Sequence, residues 1–474
     1  MPSPGIGRGA GAGRGEGIPV SSRATTGGRR RRATAAVCVA MMLALAACES
    51  DGSNNPGPAP SPSATQSEPV KLTLGVNGTE DELAAYTDVA EIFDSLYDPA
   101  EVKVENWDSS ADMMAAIRDG KDVPDVFLVS RDDLAALQER KLIQPVDALL
   151  DARGVDFGDG YSRDALQAFS ADDRLQCMPY GISPMVIYYN TRLVDFDQME
   201  KRGLLSPAER EAWTFEMFTA AAQYASRPSE GTKGFYIAPG VRTFAPFIYS
   251  GGGQVFDDED APTSLAFSDG DSVDALERTL EVLRRPQLTL SEQQVAKRSP
   301  LERFKEGKLG MIAGYRRLVP ELRQVHGLDF DVISMPILDG LATSGDITGL
   351  CLSRDAASTP AAADLMVHML STPSVDRVVR AGYLVPANSE VALSEEFLQP
   401  GRLPEHADVF NNSVRAIQIP PLLSVWPELE RAVRPELEAL VEVPVLDDLE
   451  ERLVQIDEES RPVLESDNAT PTDE

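Results

Sequence analysis

Cys177-Met-Pro-Tyr-Gly-Ile-Ser-Pro-Met-Val-Ile-Tyr-Tyr-Asn190 opens on proline and glycine and runs into a block of β-branched and aromatic residues. Proline and glycine punctuate a chain, whereas Val, Ile and Tyr suit a pleated, half-buried surface, so the stretch reads as a long, interrupted strand. Upstream of it short strands alternate with amphipathic helices, and downstream a new set of helices begins. The stretch therefore divides two α/β halves, as a strand that leaves one lobe and enters the other.

Upstream, Lys71-Leu-Thr-Leu-Gly-Val76 is a short strand that ends in Asn77-Gly78. Thr79 and Glu82 have capping-box spacing, and Leu83, Tyr86, Ala90, Phe93 and Tyr97 recur at steps of three and four, one face of a helix. Glu101-Val-Lys-Val-Glu105 alternates as a second strand and leads into Asn106-Trp107-Asp108. Ser110 is positioned to cap a short helix that presents Met113, Met114 and Ile117 and closes at Gly120. Pro124-Asp125-Val126-Phe127-Leu128-Val129 is a third strand, apolar at its centre as a doubly covered parallel strand is, and a helix follows from about Asp132 to Arg140. Repeated β-α units require right-handed crossovers and a parallel sheet, whose ligand-facing loops lie at the carboxyl ends of the strands. Those loops are Asn77 to Asp81, Asn106 to Asp108 with Trp107 among them, and Ser130 to Asp133 with Asp132.

Downstream, Trp213 precedes the N-cap Thr214 of a helix that reaches about Arg227, the place of a staple residue, with a ligand platform as the alternative. Ser250-Gly-Gly-Gly253 followed by Gln254 fits a flexible turn or a close approach of backbone to a ligand equally well. Asp271 to Leu283 is an amphipathic helix, and Leu301 to Arg317 is a helix, a turn and a strand that displays Gly314, Tyr315, Arg316 and Arg317 at its carboxyl end. Phe330 to Pro336 forms a further strand, Thr348-Gly-Leu-Cys-Leu-Ser353 reads as a second return between lobes, and helices around Tyr383, Trp426 and Pro435 follow. Asp457 to Glu474 is acidic and reads as a frayed tail.

The 474 residues suffice for two or three domains, and 42% apolar content builds real cores. The formal net charge is -32; without residues 1–47, which hold seven Arg and one Glu, 37 basic face 75 acidic residues, a net of -38. Such a surface repels phosphate backbones and argues against nucleic acid as a partner; high solubility is the plain reading of the excess. Arg29-Arg-Arg-Arg32 precedes an apolar run of about fifteen residues, Ala33 to Ala47, too short for the roughly twenty that span a bilayer but fitting an export signal, through the general or the twin-arginine route. It ends in Leu45-Ala46-Ala47-Cys48, which resembles a bacterial lipobox, so Cys48 is expected to carry lipid. Glu49 to about Val70 is a low-complexity tether rich in Pro, Ser, Asn and Gly.

Of four cysteines, Cys38 leaves with the signal and Cys48 is lipidated, so Cys177 and Cys351 are natural disulfide partners outside the cell; two buried free thiols are the alternative. Both lie beside the predicted lobe-crossing strands, where a disulfide would tie a hinge. Catalytic patterns are missing: His326, His368 and His406 are scattered without zinc spacing, and neither a Gly-x-Ser-x-Gly elbow nor a phosphate-binding Walker loop occurs.

The ordered set of lipobox, linker, Pro124-Asp125-Val126-Phe127, the Pro179-to-Asn190 crossover, Trp213-Thr214-Phe215, Ser250-Gly-Gly-Gly253, Phe304-Lys-Glu-Gly-Lys-Leu-Gly-Met-Ile312, Met335-Pro336 and Gly349 resembles the family 1 extracellular solute-binding proteins. These are maltose-binding-protein-like, sugar-type receptors of ABC importers, and the resemblance covers nearly all of Lys71 to about Leu440. It implies a two-lobed periplasmic-binding-protein-like α/β fold, two mixed or parallel sheets flanked by helices and joined by crossover hinge strands. The segments would be 1–47 signal peptide, 48–70 linker, 71–182 with about 350–384 first lobe, 183–349 with about 385–456 second lobe, and 457–474 tail. The ligand set it implies is Asn77, Trp107, Ser130, Asp132, Ser183, Gly253, Gln254, Tyr315, Arg316 and Trp426, with aromatic faces for sugar C–H patches and polar groups for hydroxyls. Arg316-Arg317 departs from the pattern, because many sugar receptors present Trp there; it favours an acidic or phosphorylated solute, two exposed arginines being the plainer account. The expectation is a monomeric, lipid-anchored extracellular receptor that delivers a small polar solute, a sugar foremost, to ABC permease subunits, without catalysis, cofactor or metal. A tethered sensor or interaction module on the same fold, or an extracellular carbohydrate-active enzyme, is the alternative.

Overall fold

A computed structural model describes residues 69–97, 100–120, 122–158, 160–205, 213–442 and 448–468. The expected export signal, Cys48 and the expected linker up to residue 68 lie outside the described residues. In chain order the strands are β1 (Val70–Asn77), β2 (Ala100–Trp107), β3 (Val126–Ser130), β4 (Ser170–Ala171), β5 (Arg174–Leu175) and β6 (Cys177–Pro184). They continue with β7 (Val186–Asn190), β8 (Lys233–Tyr236), β9 (Leu309–Gly314), β10 (Phe330–Ile333), β11 (Thr343–Leu352) and β12 (Ile417–Gln418).

The first lobe is a sheet in the order β12-β11-β3-β1-β2, with β6 also paired to β11. Strands β1, β2 and β3 run parallel, as the β-α units require, and β11 returns antiparallel to β3 and β6. On β1 the side chains of Leu72, Leu74 and Val76 alternate into the core, while Val126 to Val129 of β3 are buried in succession, the mark of a strand covered on both faces. Asp125, at the foot of β3, is the polar keystone of this sheet. Its carboxylate accepts from the Thr73 amide (2.7 Å), the Thr73 hydroxyl (2.8 Å) and the Ala357 amide (2.6 Å), so one buried side chain joins β1, β3 and the chain beyond β11.

The second lobe is a four-stranded sheet in the order β10-β7-β9-β8. The two faces of β7 are both buried: Ile187 and Tyr189 join the second-lobe core, while Tyr188 packs toward Phe330 and Phe410 in a cluster continuous with the first lobe. Trp213 stands before the N-cap Thr214 of the helix Phe215–Ala225 and packs edge-on against Phe218, its fourth residue, which is the staple geometry.

Between β6 and β7 stands one residue, Met185, and beside it β11 begins its return. The Met185 amide donates to the Ser344 carbonyl (2.8 Å) and the Thr343 hydroxyl donates to the Met185 carbonyl (2.7 Å). A third connection passes through β12, which pairs Thr343 and Ser344, and on to the helix Trp426–Glu442. The return lies at Thr343, earlier than the expected Thr348, because the apolar end of β11 is already central in the first sheet.

Two expected boundaries need correction. Residues from 385 do not pass at once to the second lobe: the Val385 carbonyl accepts from the Ile182 amide (2.9 Å) and the Ala387 amide donates to the Tyr180 carbonyl (3.0 Å), which holds them on the first-lobe end of the crossover. Nor is the acidic terminus frayed as far as residue 468. It belongs to the helix Leu449–Asn468, where Asp457 accepts from the amides of Phe267 (2.8 Å) and Ser268 (2.9 Å) and Leu464 is fully buried. The buried Leu453, Ile456 and Leu464 and one well-used carboxylate outweigh the helix's acidic surface. Among the described residues no helix is long and apolar enough to cross a membrane.

Cys177 and Cys351 form a disulfide as directly opposed residues of the β6–β11 ladder, with Cα atoms 4.4 Å apart and both side chains fully buried. It sits at the ladder end remote from Met185, so it clamps the two strands inside the first lobe instead of tying the crossover itself. Closing a sequence separation of 174 residues restricts the unfolded chain strongly. Replacing both cysteines by alanine is expected to lower unfolding free energy by about 2–5 kcal/mol in urea denaturation; alkylation of both thiols in unreduced, unfolded protein would contradict the pairing. Asp125→Ala, which removes a buried carboxylate that three donors of Thr73 and Ala357 share, is expected to cost about 1–3 kcal/mol in the same titration.

Candidate functional site

A cleft of about 920 Å³ opens between the lobes. One wall is made by the loops at the carboxyl ends of β1, β2 and β3, where a parallel sheet exposes its backbone and side chains to a ligand. The floor is the crossover, with Gly181, Ile182 and Ser183 of β6 beside Asp346 and Thr348 of β11. Arg317, Glu321 and Gln324 close it from the second lobe, and Tyr383 to Val385 line its side.

Three expected residues, Asn77, Ser130 and Ser183, line this cleft. Ser130 also caps the turn that follows β3, accepting from the Asp132 amide (3.4 Å). The Ser183 hydroxyl accepts from the Arg316 amide (3.0 Å), which links the crossover to the end of β9. The other expected residues lie elsewhere, each for a packing reason. Trp107 ends β2 half-buried against the first-lobe core, and the cleft receives Asp108 in its place.

Asp132 pairs across the lobes with Arg242 at 2.5 Å. Arg242 in turn lies 4.3 Å from the centre of the Trp426 ring, so the indole is covered by a guanidinium and not offered to the cleft. Beside it the Arg131 guanidinium donates to the Pro421 carbonyl (3.4 Å), on the stretch that follows β12. Next to them, burial raises the Asp133 carboxyl to about 6, although Arg118 stands 3.2 Å away.

Gly253 and Gln254 belong to packing. A Cβ on Gly253 would meet Ser272 at 2.6 Å, and the Gln254 amide donates to the Ser272 hydroxyl (3.1 Å), so the glycine run lets its turn lie against the helix Gly270–Leu283. Tyr315 is largely buried, and its carbonyl accepts from the Tyr188 hydroxyl (2.7 Å). Arg316 is fully buried, where desolvation lowers it to about 10. Its guanidinium donates to the carbonyls of Gly382 (3.1 Å) and Phe397 (3.2 Å) and stacks 4.7 Å from the Phe397 ring centre. It is a structural strut, which removes the argument for an acidic solute. Arg317 alone of the pair reaches the cleft, and it is held at 2.5 Å by Asp346.

The cleft takes Glu80, Asp81 and Asp108 from the loops expected to face a ligand, and adds Glu82, Tyr86, Thr348 and Tyr383, which sequence reading does not single out as cleft residues. Tyr86 was assigned to the helix face that packs on the core, which it does, yet it also sits one turn past the β1 loop and lines the cleft. Its place two turns from the expected Asn77 contact was the available signal. Glu82 is engaged in the capping box, accepting from the Thr79 amide (3.0 Å), and burial raises its carboxyl against that hydrogen bond.

None of the curated protein sequences matches the chain. Among solved structures, an ABC substrate-binding protein of Listeria monocytogenes in complex with cycloalternan is 17% identical, with a TM-score of 0.70 over 84% of this chain and 99% of that one. The GacH receptor of Streptomyces glaucescens is 18% identical, with a TM-score of 0.66 over 83% and 98%. A cyclic alpha-maltosyl-1,6-maltose binding protein from Arthrobacter globiformis is 16% identical, with a TM-score of 0.67 over 84% and 100%. At such identities the likeness is one of fold, and it is the two-lobed α/β fold expected. The family model described as bacterial extracellular solute-binding protein matches residues 88–405, more than half of the chain, and the chain belongs to that family.

Proposed function

We propose that this solute-binding protein is a lipid-anchored receptor on the outer face of the cell membrane that captures a saccharide between its lobes and passes it to an ABC permease. The observation that carries the reading is the cleft itself: about 920 Å³, walled by carboxyl-end loops of one lobe, closed by side chains of the other, and floored by the strands that join them. That volume suits a small oligosaccharide or a comparable polar solute. Asn77, Ser130, Thr348, Gln324 and Tyr86 offer it amide and hydroxyl groups, which pair with sugar hydroxyls at modest cost once the cleft closes. Structural neighbours hold cycloalternan and acarbose, both saccharide-type ligands by their names, in proteins of this fold.

Three narrow connections between the lobes supply the means of motion. Met185, Thr343 to Ser344 and the stretch after β12 are short, so the lobes turn about them as bodies. Solute bound to both walls favours the closed arrangement by the difference of its affinities for closed and open forms, and the closed arrangement is what the permease reads. Lipid at Cys48 and the linker keep the body within reach of the membrane. No step of this cycle makes or breaks a covalent bond.

The test is a thermal-shift screen of the exported chain with neutral, aminated and acidic oligosaccharides. A ligand at 100 times its Kd should add about 2.7 kcal/mol of apparent stability, seen as a raised melting temperature. If no saccharide moves the melt while an extracellular protein partner does, the receptor reading gives way to that of an interaction module.

A further inference from the structure

Three arginines meet without an acid in a chain that carries 76 acidic residues. Arg316 follows β9 and is fully buried, Arg323 ends the helix Leu318–Arg323 half-buried, and Arg402 lies exposed on the loop beyond the helix Glu395–Leu398. Gly382 joins the first two: its carbonyl accepts from Arg316 Nε (3.1 Å), and a Cβ on it would come within 3.3 Å of Arg323 Nη1. Arg323 and Arg402 converge on a single atom. Arg323 Nη1 donates to Gln399 Oε1 at 2.6 Å, and Arg402 Nη1 donates to the same oxygen at 3.1 Å.

Every acceptor these guanidiniums find is neutral. Besides Gln399 they are the carbonyls of Gly382, Phe397 and Leu403, and among the described residues no carboxylate lies within ion-pair distance of any of the three. Neighbouring arginines do find acids, as Arg317 finds Asp346 and Arg377 finds Asp88.

A second feature concerns the atoms left over. Arg316 Nη1 and Arg323 Nη2 are buried and have no hydrogen-bond partner among the described residues. Because a guanidinium is a planar fork, Arg323 Nη2 stands beside the Nη1 that faces Gln399. Buried donors of one charge sign without a counter-charge are costly. Burial, with Arg316 and Arg402 nearby, lowers Arg323 to about 9, as expected of a cation that lacks a counter-ion.

We propose that Arg323 and Arg402, with Arg316 behind them, form a binding site for a small tetrahedral oxyanion, inorganic phosphate or sulfate, whose oxygens take the place of Gln399 Oε1 and reach the free Arg323 Nη2. Oxyanions accept from guanidinium forks through paired, charge-assisted bonds, which a neutral amide oxygen only imitates. The recessed arginines admit a small ion, and the exposed Arg402 marks its way in. The bound anion would fasten the second-lobe helix Leu318–Arg323 to the loop at 399–403. The site lies apart from the proposed solute contacts, so it stands or falls independently of the saccharide reading.

Calorimetric titration of the exported chain with sodium sulfate and with sodium phosphate, at constant ionic strength made up with chloride and with no sugar present, tests the assignment. Saturable binding of both oxyanions is expected. Arg402→Gln should weaken it ~10-fold or more, since one charge-assisted partner is lost from an exposed position, with a circular-dichroism melt showing an intact fold. Arg434→Gln, an exposed arginine on the helix Trp426–Glu442, should leave the affinity unchanged. Absence of saturable binding overturns the proposal, as does an unchanged affinity of Arg402→Gln. Equal weakening by Arg434→Gln overturns it too, because the binding would then reflect overall charge and not this cluster.

Discussion

The antiparallel pairing of β6 with β11 is the constraint on which the molecule depends. β11 is central to the first sheet and β6 runs along it as its partner, both continue toward the second lobe, and the hydrogen bonds of Met185 with Thr343 and Ser344 keep them adjacent at the crossing. The Cys177–Cys351 bond fixes their register at the far end, so slippage by one residue, which would turn every side chain to the wrong face, is blocked. The same strands floor the cleft with Gly181 to Ser183 on one side and Asp346 to Thr348 on the other. The place where the lobes join and the proposed solute site are thus one structure, and the proposed coupling of binding to motion runs through it.

Side chains around that floor divide into struts and contacts. Arg316 is spent internally: its backbone amide reaches Ser183, its guanidinium two carbonyls, and its plane Phe397 and Phe410. Burying a guanidinium is tolerable because two of its three nitrogens find carbonyl acceptors and its faces find aromatic rings. Arg242 plays a comparable part between lobes, clamped by Asp132 and stacked on Trp426.

Much of this was legible in the sequence because it is local. The capping box of Thr79 and Glu82 and the staple of Trp213 are decided within a helical turn. The crossover is legible through the Pro-Gly opening of β6 and the Val-Ile-Tyr-Tyr block of β7, and the cysteine pairing through counting. Three of the ten expected ligand residues line the cleft, and all three lie on the crossover or at a strand end, where topology alone places them. The others failed on information that topology lacks. Arg316 and Arg317 are neighbours of one type, and only the packing of residues 382–410 decides which is buried. Gly253 serves a helix approach that no local pattern announces, and Asp457 became structural through amides nearly two hundred residues away.

The central claim is that the lobes close about the crossover on a bound saccharide. Small-angle X-ray scattering of the exported chain, alone and saturated with the saccharide that most raises its melting temperature, tests it most directly. The account predicts a smaller radius of gyration in the saturated sample with unchanged secondary structure; an unchanged or larger radius at saturation would contradict it.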